Sequence, residues 1–232
     1  MDQAKDYLKK DPVLHVDMLE CIRRGSARIL AASRSGVLLC DESSGTHMLS
    51  AKSEEAALRM IAGLDSSDLF VAHQTFGTAA AQQKFGFCQR LLVCNAAYCK
   101  KEPLPGTDRP AEIRRMDESF LPFVKEHYRT IPEEEYLRDR LRSGTVFGAF
   151  VKGEPAGFIG VHAEGAMGML EVLPRFRRRG IARMLESHLI NHLLKDGAFP
   201  YAQIKGGNEA SEALHRALGF CFSKDSVSWL MR

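Results

Sequence analysis

Apolar residues fall at helical spacing over residues 14–23, and the pattern then changes to two short β-rich runs, 28–33 and 36–41. These runs meet at Arg34-Ser35, which predicts a hairpin. Ser53 stands before Glu54, Glu55 and the stretch AALRMIAGL, so a helix opens there with a hydroxyl cap and an acidic first turn. Residues 69–73 read as a strand, and residues 78–85 as a helix that stops at Gly86. Residues 91–98 are apolar and strand-like. The first half is expected to run helix, two strands, helix, strand, helix, strand.

The second half is more regular. Residues 113–116 predict a strand, and Asp117 a cap for a helix through Tyr128 with Phe120, Leu121, Val124 and Tyr128 on one face. A further helix starts at Ile131-Pro132, with Glu133 to Glu135 beside its positive end. Strands follow at 146–152 and 156–162, turned at Gly153-Glu154, and again at 167–172. After RFRRRG comes an amphipathic helix whose apolar residues Ile181, Met184, Leu185, Leu189 and Leu193 keep the 3.6-residue period. A strand at 201–205, a short helix at 211–218 and strands within 220–230 close the chain. Strand–helix alternation with hairpins predicts an α/β protein, an α+β mixed sheet with helices on both faces.

The halves are separated by KKEPLPGTDRP at residues 100–110, whose three prolines and one glycine can continue neither a helix nor a central strand. Two domains are expected, 1–106 and 107–232. With 45% hydrophobic and 26% charged residues, the chain is globular rather than disordered. The 32 Lys and Arg against 29 Asp and Glu, a net +3, argue against a dedicated nucleic-acid binder. Cys21, Cys40, Cys88, Cys94, Cys99 and Cys221 form no C-x-x-C and have no His at zinc-like spacing, so they read as buried thiols of a reducing compartment, with no metal. The first twelve residues are polar, and no run approaches the ~18 apolar residues of a membrane span, so a soluble, cytoplasmic protein is expected.

The most informative segment is LEVLPRFRRRGIARMLESHL. A strand ends at Pro174, a basic loop follows, and Gly180 opens a long helix. The first N–H groups of a helix lack internal partners and carry the positive end of its dipole, so they bind anions. Gly180 permits close backbone approach, and Arg177, Arg178 and Arg179 add guanidinium donors suited to a pyrophosphate. The same residues also fit a solvated basic loop capping a helix.

In context, Leu170-x-Val172-x-Pro174-x-x-Arg177-x-x-Gly180-x-Ala182 resembles the coenzyme A motif of the GNAT superfamily of N-acetyltransferases. Asn208, Ser211, Leu214, Leu218, Gly219 and Phe220 are similar to its closing pattern. The resemblance spans about residues 111–232, and residues 165–177 with Trp229 resemble the glycine N-acyltransferase and FR47-like branch most. It implies a GNAT-like fold over 107–232. The first half resembles, more weakly, that branch's companion domain. KFGFC echoes LGFC, as in a decayed duplication, and the first half has no phosphate loop, so it should bind no coenzyme A.

The resemblance implies acyl-CoA-dependent N-acyl transfer, acetyl from acetyl-CoA to a primary amine by direct attack. A non-catalytic acyl-CoA-binding or sensing module is the alternative. The resemblance assigns backbone contacts with the pantetheine arm to Leu170 and Val172. The pyrophosphate goes to Arg177, Arg178, Arg179, Gly180, Ile181 and Ala182, and a further cofactor contact to Asn208. An ammonium acceptor must lose a proton, which needs a base, and the departing thiolate gains from an acid. Relatives place Tyr where this chain has His215, the candidate acid, and a carboxylate where this chain has Ala166. Glu171 is the base favoured here, with Glu164 nearby and water as rival. The acceptor is a small-molecule amine or amino acid, and the chain a monomer or homodimer.

Overall fold

The structure, a computed structural model, describes residues 1–106 and 111–232. The last part of the proline-rich linker, 107–110, and with it the expected boundary at 106/107, lies outside the described residues. The chain gathers into two compact units, Met1–Tyr98 with Tyr201–Arg232, and Cys99–Pro200.

The first unit holds helices α1 (Asp2–Leu8), α2 (Val16–Arg24), α3 (Glu54–Ile61) and α4 (Thr75–Phe85) and strands β1 (Ala27–Ser33), β2 (Gly36–Asp41), β3 (Thr46–Ala51), β4 (Leu69–Ala72) and β5 (Gln89–Tyr98). Ser53 caps α3 by accepting from the Ala56 N–H at 3.2 Å, as expected. Two elements went unforeseen. In α1 only Ala4, Tyr7 and Leu8 turn to the core, too few for a periodic signal. β3 is buried on both faces yet carries Thr46 and Ser50, whose polarity hides a strand until their partners are seen. Ser44 donates to Thr46 at 2.8 Å, while His15, Gln74 and Tyr7 surround Ser50.

The second unit is a meander of β6 (Glu112–Arg115), β7 (Phe147–Val151), β8 (Glu154–Val161) and β9 (Met167–Val172), each antiparallel to the next. A 3-10 turn at Glu118–Phe120, capped by Asp117, leads into α5 (Leu121–His127), and α6 (Glu134–Arg142) follows. These helices cover one face through Leu121, Val124, Leu137 and Leu141 against Phe150 and Phe158. The helix α7 (Ile181–Lys195) packs on the other face, where Phe147 meets His188 and His192 edge-on.

Residues 201–232, read above as part of the second domain, pack in the first unit. They form β10 (Tyr201–Lys205), α8 (Glu209–Leu218), β11 (Phe220–Phe222) and β12 (Val227–Met231). The reason is backbone pairing: β5 carries β10 along one edge and β11 and β12 along the other, and β12 also pairs with β4. The strand order there is β1-β2-β3-β4-β12-β5-β10, with only β3 and β4 parallel among the pairs described. β2 is buried throughout: Val37 and Leu39 join the core under α1 and α2, and Leu38 the core under α3 and α4.

The thiols depart from expectation. Cys21 and Cys40 are buried, but Cys88, Cys99 and Cys221 are exposed and Cys94 is half-buried. Apolar neighbours in sequence do not bury a thiol whose strand position points outward. No helix among the described residues is long and apolar enough to cross a membrane.

Polar groups sealed inside the first unit set a pH limit. Asp17 and His73 are fully buried and 2.8 Å apart. Burial alone would raise the Asp17 carboxyl, but the charge and hydrogen bond of His73 outweigh it and hold it below its usual range. Nearby, His15 Nε2 lies 2.8 Å from Ser50 Oγ and Nδ1 3.0 Å from the Leu8 carbonyl. Burial, helped by His73, pushes His15 from 6.5 down to about 4. Between those values the unfolded chain binds more protons than the folded one. Stability that is complete above pH 6.5 therefore falls by about 3 kcal/mol as pH drops through 4. Urea midpoints from pH 7 to 4 should trace this decline, and His15→Gln should flatten it.

Candidate active site

The second unit brings together Leu170, Glu171, Val172 and the segment from Arg177 to Ala182. β9 runs directly into them. Met169 adopts a left-handed backbone, φ 53°, and the pairing with β8 shifts between Phe158 and Gly160. Phe158 stands opposite Glu171 and Gly160 opposite Gly168, so β9 spends three residues where β8 spends two. This is a bulge. Residues directly opposite share a face, so the extra residue puts Gly168 and Glu171 on the same face despite their odd separation. That face also carries Phe158, whose ring meets Phe123 of α5 at 5.9 Å.

Glu171 is half-buried, and burial raises its carboxyl above the usual range, with Arg177 and His127 opposing. A carboxylate so placed is a stronger base than a free one. Tyr128 feels both Glu164 and Glu171, though burial is the main reason its phenol rises to about 12. Gly157 lets the strands close: a Cβ there would lie 2.4 Å from the Glu171 carbonyl oxygen.

Beyond Val172 the chain takes a 3-10 turn at Pro174–Phe176. Arg177 Nε donates to the Val172 carbonyl at 2.9 Å and folds the loop back on its strand. Phe176 is buried, and Arg175 and Arg179 lie over its ring. Arg175 also pairs with Glu154 at 3.0 Å. Arg178 at φ 60° and Gly180 at φ 79° are both left-handed, the kind of backbone from which anion-binding N–H concavities are made. No side chain caps α7 at Gly180, so the N-cap residue of this fifteen-residue helix supplies no side-chain acceptor for its first-turn N–H groups. The Ile181 side chain is core, which limits its part to its N–H. A left-handed cradle, an uncapped helix end and exposed Arg177, Arg178 and Arg179 suit a pyrophosphate.

Asn208 and His215 lie in the first unit. Asn208 caps α8, accepting from the Ser211 N–H at 3.2 Å. His215 is 3% exposed, edge-on to Phe220, with Nδ1 2.8 Å from the Ser211 carbonyl. A carbonyl only accepts, so Nδ1 carries the hydrogen. Burial holds His215 below 6.5, against that hydrogen bond.

The bulge and His162 escaped the sequence reading. Gly160 and Gly168, isolated in strand patterns, were the available signal for a bulge or close approach. Among the described residues no group of three or more His, Cys, Asp or Glu is placed to hold a metal ion.

Comparisons with known proteins bear on the same segment. The model of the acetyltransferase (GNAT) family matches residues 111–220. The chain is similar to the ribosomal protein bS18 alanine N-acetyltransferase of Salmonella typhimurium, 31% identical over 120 residues covering 50% of this chain and 77% of that protein. Among solved structures, a Drosophila protein matches at TM-score 0.72 and 15% identity, over 100% of this chain and 95% of that one. A GNAT-family protein of Novosphingobium aromaticivorans matches at TM-score 0.59 and 16% identity, over 95% of this chain and 96% of that one. These last two likenesses are of fold, and they agree with the expected mixed sheet.

Proposed function

The chain belongs to the acetyltransferase (GNAT) family and is an N-acetyltransferase, and from that premise we propose that it moves acetyl from acetyl-CoA directly to a primary amine of a small molecule or amino acid. The observation that carries the reading is the left-handed, arginine-flanked backbone that opens α7 without a side-chain cap. Bound acetyl-CoA supplies an activated thioester. Arg177, Arg178, Arg179, Gly180, Ile181 and Ala182 hold its pyrophosphate, and Leu170 and Val172 its pantetheine arm through backbone groups. The segment 107–232 carries the catalytic residues, its last part, 201–232, packing in the first unit. Residues 1–106 form a companion that has no Arg-x-x-Gly-x-Ala loop and takes no cofactor.

Glu171 takes the proton from the acceptor ammonium, helped by the burial that raises its affinity for protons. His215 and Asn208 are assigned by motif: Asn208 to the cofactor arm, and His215 to the thiolate as acid. The acid role requires the imidazolium, because the neutral ring keeps its hydrogen on Nδ1 toward Ser211.

Thiol release from acetyl-CoA across a panel of amines tests the activity itself. By calorimetry the chain should take up one equivalent of coenzyme A. Gly180→Val, which forces a β-branched residue into a left-handed site, should weaken binding at least about tenfold, roughly 1.4 kcal/mol. Equal affinity in the folded variant would remove the loop from the proposal.

Glu171→Gln should lower kcat by ~10²–10⁴ with coenzyme A affinity unchanged. In the wild-type chain kcat should fall as pH drops through a value above 4.5, where the raised Glu171 carboxyl gains its proton. The variant should lack that limb.

His215→Phe should lower kcat more than KM for acetyl-CoA, and His215→Tyr should restore much of the rate. The part of kcat that depends on His215 should fade as pH rises through a value below 6.5. A folded Phe variant working at the wild-type rate would leave His215 a packing residue.

A further inference from the structure

The β8–β9 hairpin carries a side-chain arrangement that the reaction as described does not use. The turn is tight: the His162 N–H donates to the Ala166 carbonyl at 2.8 Å, and the Gly165 N–H to the His162 carbonyl at 2.9 Å. The His162 ring folds back along the sheet. Its Nε2 occupies the space a side chain at Gly168 would need, 2.3 Å from where that Cβ would stand. His162 is opposite Ala166, so it shares the face of Gly168 and Glu171. The Gly168 position lies two β8 residues, about 7 Å, along the strand from that of Glu171.

The ring is held from the other side by α6. Its Nδ1 is 2.5 Å from the Tyr136 hydroxyl, and the two rings stack with centroids 6.1 Å apart. The Ala163 backbone N–H also donates to the Tyr136 oxygen. The phenol hydrogen is then directed to Nδ1, and the neutral imidazole keeps its own hydrogen on Nε2. Burial keeps the ring neutral by holding His162 below 6.5, with Glu164 opposing and Arg140 assisting. Nε2–H has no hydrogen-bond partner among the described residues. Strand, hairpin and helix thus fix one tautomer, and its donor edge lies on the face of Glu171.

We propose that His162 recognises the acceptor: its Nε2–H donates to a carbonyl or carboxylate oxygen next to the reacting amine, which makes α-amino carbonyl compounds, rather than simple alkylamines, the acceptor class. Tyr136 is the positioning residue that sets the tautomer. Gly168 is the position whose missing side chain admits the ring. The proposal rests on Glu171 as the base that takes the same amine's proton.

Alanine amide and isopropylamine, which share the methyl-bearing amine carbon and differ in the carbonyl group, separate the possibilities. His162→Phe should raise KM for alanine amide about tenfold, the loss of one hydrogen bond. It should leave KM for isopropylamine and the calorimetric affinity for acetyl-CoA unchanged. His162→Gln, which keeps an N–H donor, should recover part of the loss. Gly168→Ala, which pushes the ring off its seat, should reproduce the Phe effect with His162 and Tyr136 both present. A measurement on the unaltered chain needs no variant to fold: with coenzyme A bound, the His162 Nε2 nitrogen resonance should shift with alanine amide and stay still with isopropylamine. Equal rises in both KM values, no rise in either, or a resonance indifferent to alanine amide would overturn the proposal while leaving the acetyltransferase reading intact. Failure of the wild-type chain to bind acetyl-CoA would bring down that reading and this proposal with it.

Discussion

A single added residue in β9 controls how the second unit presents its chemistry. In a regular strand Gly168 and Glu171, three apart, would point to opposite faces of the sheet. The bulge around Met169 absorbs one residue, and the two positions come to lie on the face that α5 and α6 cover. Glu171 gains its partial burial there. The same strand then reaches Val172, whose carbonyl is gripped by Arg177, and delivers the chain into the left-handed turn that opens α7. Glu171, the basic loop and the helix end follow one another in sequence and are aimed by one irregularity.

That irregularity is held by its neighbours. Met169, buried with Val146, Phe150 and Phe158, belongs to the core under α5 and α6. Gly157 allows β8 to approach the Glu171 carbonyl, and Gly168 leaves room for the edge of the His162 ring. A left-handed non-glycine residue costs about 1–3 kcal/mol; burial of the Met169 side chain offsets that cost. The first unit uses a different device. Buried Asp17, His73 and Asn95 and half-buried Gln203 link α2, the residue after β4, β5 and β10 through hydrogen bonds, and Trp229 of β12 donates to Gln203 at 2.8 Å. A network of this kind tolerates no unpaired member, so it ties the end of the chain to its beginning.

The local code was legible wherever one residue type had one mechanical use. Ser53 and Asp117 were recognisable as caps, Gly86 as a helix stop, and the apolar stripe of α7 as a helix. The basic loop before Gly180 was legible because three arginines, a glycine and a helix start have few joint uses. Thr46 and Ser50 concealed β3, since a buried polar residue looks exposed until its partners are known. The exposed Cys221 was misjudged for the converse reason, since flanking phenylalanines say nothing about its own direction.

By itself the sequence determined the alternation of strands and helices, the mixed α/β class, the basic loop before Gly180 and the family resemblance, because these rest on spacing along the chain. Only the tertiary structure decided which strands pair. It placed residues 201–232 with the first half by giving β5 partners on both edges. It also decided which face Glu171 occupies, and that His162 meets Tyr136 across a gap of 26 residues. Pairing and facing depend on backbone groups that every residue shares and on contacts between distant segments, and neither leaves a mark in a local pattern.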